Sequence, residues 1–83
     1  MKYKLVIASD VVRDGLGVEL EDEAGEIVAE VFRCDPDHTV VVSTFGHSVP
    51  ADTMAWLLET AQVELNPFED GTPLIIKPAA IDG

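Results

Sequence analysis

The hydrophobic positions of the chain alternate first with period two and later with the period of a helix. Tyr3, Leu5 and Ile7 fall on one side of a short β-prone run, Tyr3 to Ala8, with Lys2 and Lys4 on the other. Arg13-Asp14-Gly15 then marks a turn. From Leu16 the alternation is cleaner, with Leu16, Val18 and Leu20 on one face and Gly17, Glu19 and Glu21 on the other. Asp22-Glu23-Ala24-Gly25 supplies a polar loop, and Ile27 to Phe32 reads as the returning strand. Placing Glu21 opposite Glu26 sets Leu20 against Ile27, Val18 against Ala29 and Leu16 against Val31. All six residues are apolar, whereas a slip of one residue would turn them to opposite faces, so the pattern selects this pairing.

A second turn, Asp35-Pro36-Asp37-His38, leads into a third clear strand, Thr39 to Phe45. Pairing Cys34 with Thr39 puts Val31 against Val42 on the inner face, and Phe32 against Val41 and Val28 against Phe45 on the outer one. Ser48 is in position to cap a helix that begins near Pro50, where proline costs no hydrogen bond, with Asp52 at the positive end of its dipole. Met54, Leu57, Leu58, Ala61 and Leu65 recur at helical spacing, and Asn66-Pro67 ends the helix. Trp56 falls off this stripe. Beyond it, Phe68, Leu74, Ile75 and Ile76 are too apolar to be left in water, so the tail either docks on the domain or is an interaction segment.

These elements predict an α+β fold: a three- to four-stranded antiparallel β-meander with one C-terminal helix packed on one face, followed by an irregular tail. Residues 1–76 form one domain and 77–83 a flexible end, since a chain of 83 residues has no room for a second core. The helix covers one face only. Val28, Phe32, Val41 and Phe45 then form an apolar group on the other, beside Glu19, Glu21 and Glu30, with part of it assigned to the tail Phe68 to Ile76 and the rest to a partner. Such a patch would cover roughly a few hundred Å², the size at which exposed apolar surface tends to mark an interaction site.

Charge narrows the choice of partner. Sixteen acidic residues against five basic ones leave a net charge of −11. Phosphate recognition needs cations, so direct nucleic-acid binding is not expected, nor is an anionic membrane surface. A protein partner with a basic surface is. A domain of this size buries only about 60–65% of its unfolded surface, which leaves little interior for an enclosed catalytic pocket. The start of the chain lacks a signal-peptide core, and no run of 18 apolar residues occurs, so the protein is expected to be cytoplasmic.

Candidate chemistry adds little. The acidic hairpin lacks the calcium-loop pattern and reads first as a solvated face. Cys34, Asp37, His38 and His47 are the only metal-like or nucleophile-like set, but His38 and His47 sit at opposite ends of one strand, and a Cys34/His38 dyad has no third group to orient it. Gly15-Leu16-Gly17 precedes a strand and not a helix, so it is no phosphate cradle, and Gly17 reads as a bulge or a close approach by another backbone.

The resulting expectation is a non-catalytic interaction module of inhibitor, immunity or regulatory type, with no cofactor and no metal. Its partner-binding residues would be Glu19, Glu21, Val28, Glu30, Phe32, Val41 and Phe45 on the outer face. The alternatives are a homodimer formed outer face on outer face and, third, a small metal-dependent enzyme; monomer and homodimer both remain open.

Overall fold

A computed structural model describes residues 2–76. Strands β1 (Lys4–Asp10), β2 (Gly15–Glu21), β3 (Ile27–Cys34) and β4 (Thr39–Ser43) form one antiparallel sheet in the order β1-β2-β3-β4, and helix α1 (Ala51–Leu65) follows. This is the expected antiparallel meander with one helix packed on it, and of the three or four strands expected it has four, the N-terminal run pairing as β1. The flexible end read at 77–83 lies outside the described residues.

Helix α1 lies over β2 and β3. Its stripe behaves as the spacing predicts: Leu57, Ala61 and Leu65 are fully buried with Val18, Leu20, Ala29 and Val31 of the sheet, while Met54 and Leu58 pack at the margin. Pro50 occupies the position before the first helical residue, and no side chain caps the helix there, so the capping role read for Ser48 is not realised. The other end is better satisfied. No basic residue lies in the last turn of α1, but Arg33 reaches across from β3 and donates to the carbonyls of Leu65 at 3.1 Å and Pro67 at 3.0 Å. A guanidinium at this position both satisfies orphan carbonyls and complements the negative end of the helix dipole.

The tail docks on the helix side of the sheet, not on the outer face. Phe68 and Leu74 are buried members of the same core, and Gln62 holds the returning chain by donating to the Leu74 carbonyl and accepting from the Ile76 amide, each at 2.7 Å. The share of the outer apolar group assigned to the tail therefore needs another cover.

The β2–β3 hairpin departs from the expected register in two steps. Asp22 organises a wider loop than a Glu21–Glu26 pair allows, accepting the Ala24 and Glu26 amides on its side chain while its own amide donates to the Glu26 carbonyl. That moves the pairing by one residue, to Glu21 opposite Ile27. A bulge then adds a second residue: Leu20 faces Ala29, leaving Val28 as the extra residue on β3. Either step alone would turn the strand over; together they restore the expected faces from Ala29 onward, so Val18 pairs with Val31 and Leu16 with Arg33. Between the two steps the faces are exchanged. Val28, expected outside, is 6% exposed in the core, and Ile27, expected inside, is 38% exposed.

Pairing of β3 with β4 follows the reading at Cys34–Thr39, Phe32–Val41 and Val31–Val42. It stops at Ser43, so Phe45 does not pair with Val28; it stands beyond the strand in a left-handed turn at φ 52°.

Candidate functional site on the outer face

The outer face of the sheet is built from four rows of side chains. Lys4 stands beside Glu21; Val6, Glu19, Glu30 and Ser43 form the next row; Ala8, Gly17, Phe32 and Val41 the third; Asp10, Gly15, Cys34 and Thr39 the last. With no side chain on Gly15 or Gly17, the Phe32 ring lies down across β2. A Cβ on Gly15 would stand 2.6 Å from Phe32 Cζ, and one on Gly17 would stand 3.2 Å from Phe32 Cδ1. The close approach expected at Gly17 is thus made by side chains of the neighbouring strand, whereas at Gly15 the nearest atom is the Arg33 backbone carbonyl oxygen.

Arg13, in the β1–β2 turn, closes the ring from above. Its guanidinium sits 3.9 Å from the Phe32 centroid and makes two parallel bonds of 2.9 Å to the Glu30 carboxylate. Asp10 fixes the turn that carries it, accepting the Val12 and Arg13 amides at 3.0 Å and Arg13 Nε at 2.6 Å. These bonds to Arg13 hold the Asp10 carboxyl below its usual range, and the bonds to Glu30 and then Asp10 hold the guanidinium proton more firmly than usual. A planar cation with a fork of donors can stack on an aromatic face and bind a carboxylate edge-on at once, which lysine cannot.

This arrangement redistributes the residues expected to bind a partner. Phe32 and Glu30 are 4% and 5% exposed, and Val28 faces the opposite core. Of the apolar four, only Val41 and Phe45 remain exposed. Arg13 was not among the sequence candidates. A signal was present in Asp10, three residues before an arginine at a hairpin tip, followed by Gly15 and Gly17, but nothing local reveals that the guanidinium turns back over β3.

Glu19 and Glu21 stay half-buried on this face. Lys4 lies 3.6 Å from Glu21. Glu19 has no such partner among the described residues, and it stands directly across from Glu30. Burial raises its pKa first, and repulsion from Glu30 and then Glu21 adds to the rise; Arg13 opposes them only weakly. A carboxyl with a folded-state pKa above its unfolded value penalises the folded state once ionised, and the penalty disappears below the unfolded value. Glu19→Gln is therefore expected to stabilise the fold at neutral pH. Urea titrations should show that gain shrinking toward zero below about pH 4, where the unfolded carboxyl is also protonated; a loss of stability at pH 7 would contradict this account of Glu19.

No family model, curated protein or solved structure matches the chain. Its own chemistry must therefore carry any functional reading. His38 lies 2.7 Å from Asp70 and packs against Phe68 with ring centroids 4.9 Å apart, which ties the tail to the β3–β4 turn. Bonds from Thr72 and then His38 bring the Asp70 carboxyl down to about 2. His47 instead faces Glu26 at 3.1 Å. The Cys34 thiol is pushed up, chiefly by its hydrogen bond to Asp37 and then by burial, which disfavours the thiolate a nucleophile requires. Among the described residues, no three His, Cys, Asp or Glu side chains converge as a metal site would need, and no helix is long and apolar enough to cross a membrane.

Proposed function

We propose that the protein is a non-catalytic cytoplasmic module that binds a basic protein partner through the outer face of its sheet. Glu19 carries this reading. It is a half-buried carboxylate wedged beside two others, and among the described residues it accepts no bond from a cation. An incoming lysine or arginine would relieve that repulsion. Glu21 lies two residues away on the same face, and Val41 stands two strands across, roughly 10 Å at normal strand spacing, with exposed Phe45 just beyond β4. Both arginines are engaged within the fold, Arg13 with Asp10 and Glu30, Arg33 with Asp35 and the end of α1. The surface field of a chain with net charge −11 is thereby left largely uncompensated, which speeds encounter with a basic surface while apolar contacts hold the complex.

The test is affinity capture of a basic protein from the native host, comparing the unmodified chain with Glu19→Gln and Phe45→Asp. Binding should weaken with salt and fall at least about tenfold in each variant, as for loss of an interfacial charge pair or anchor. Because Glu19→Gln is expected to stabilise the fold, its loss of binding would not reflect unfolding. Undiminished capture by both variants would overturn the assignment of this face.

A further inference from the structure

The two edges of the sheet are protected unequally. The β1 edge carries Lys4 and Asp10, with Lys2 just before the strand. Charges of this kind discourage another strand from adding on. The β4 edge has none: Thr39-Val40-Val41-Val42-Ser43 contains no charge and no proline, and its pairing with β3 runs without a bulge. Among the described residues, the hydrogen bonds of Val40 to Ser43 all run to β3, so the outward backbone groups of this strand are unpaired. Val41 and Val42 point to opposite faces and are 50% and 46% exposed.

We propose that β4 is a self-association edge, on which two copies of the chain pair their β4 strands antiparallel about a two-fold axis at Val41. The strand is complementary to itself. Antiparallel pairing about its middle residue sets Thr39 against Ser43, Val40 against Val42 and Val41 against Val41, so hydroxyls meet at the ends and β-branched side chains meet between them. The product is one continuous sheet of four strands from each copy, with both helices on the same face. A basic extended segment suits this edge less well. No carboxylate lies on β4, and Glu30, the acid of β3 on the outer face, is already held by Arg13.

The dimer is weak at low salt. An edge of five residues buries less than the roughly 1,200–2,000 Å² of stable complexes, and each copy carries a charge of −11. Screening shortens the reach of that repulsion from about 10 Å at 0.1 M salt to about 3 Å at 1 M. Self-association thus strengthens with salt, the reverse of basic-partner binding, so the two readings stand or fall separately.

Sedimentation equilibrium of the full chain across protein concentration, at low and at 1 M salt, is the direct test. Dimerisation should tighten about tenfold or more with salt, and amide exchange within Thr39 to Ser43 should slow in the dimer. Val41→Lys should abolish both effects while near-ultraviolet circular dichroism stays unchanged. That variant also lowers the net negative charge, so if long-range repulsion alone governed association it would dimerise more readily. A monomer at every concentration in 1 M salt, or a dimer that survives Val41→Lys, overturns the proposal. So does protection of the β4 amides only when a different chain is added.

Discussion

Replacing Gly15 by alanine is expected to cost about 3 kcal/mol or more, the upper end of what overpacking does. The new methyl group would overlap the Arg33 carbonyl oxygen and stand 2.6 and 2.8 Å from two atoms of the Phe32 ring. Neither obstacle yields cheaply. The carbonyl belongs to the β2–β3 ladder, and the ring is held from above by Arg13. Gly17→Ala meets Phe32 and Glu30 at 3.2 Å and should cost nearer about 1 kcal/mol, since small shifts of side chains would accommodate it. For a chain of 83 residues, total stability is on the order of 4–12 kcal/mol, so the first substitution removes a large share and the second does not. Urea unfolding of both variants measures the difference. Equal effects at the two positions would contradict the close approach of the Arg33 carbonyl and the Phe32 ring to Gly15.

Arg13→Met should be of comparable size for a different reason. Methionine keeps an unbranched apolar stem over Phe32, but it leaves Glu30, whose side chain is only 7% exposed, without its counter-charge. Breaking one partner of a buried pair costs about 3–5 kcal/mol, and the half-exposed position of Arg13 places this case near the lower end. Glu30→Gln in the Arg13→Met background should recover much of the loss, because the penalty lies in the stranded carboxylate. The double-mutant cycle separates that term from the packing of the stem on the ring. If the double variant is no more stable than Arg13→Met, the ion pair is not what holds the turn down.

What could be read in the sequence follows the range of the forces involved. The β3–β4 pairing was legible from Cys34–Thr39 to Val31–Val42, though not its end at Ser43, because a short turn built from Asp35, Pro36, Asp37 and His38 fixes it locally, and the helix because its stripe repeats along it. The β2–β3 register was legible only in parity. An alternating pattern reports which face a residue takes, and two successive one-residue shifts leave most faces unchanged, so only Ile27 and Val28 reveal that they occurred. The candidate site suffered most from contacts distant in sequence. Nothing near Phe32 announces that Arg13 lies on it, and nothing near Glu30 announces its partner, because both are separated from that turn by a whole strand. The acids Glu19 and Glu21 survive as candidates because their placement needs only the local alternation of β2.

The placement of Phe68 and Leu74 within the core has a consequence for how the chain is made. The four strands pair in the order in which they leave the ribosome, so each hairpin has its partner at hand as soon as it emerges. The cover does not keep pace. Val18, Leu20, Ala29 and Val31 await α1, and α1 in turn awaits a tail anchored by the bond to Gln62 from the amide of Ile76, a residue made long after the sheet. During that interval the nascent sheet presents an apolar face to its surroundings, and the carboxylates gathered on the β2–β3 hairpin supply like charge of the kind that opposes adhesion of such a half-finished surface to its neighbours.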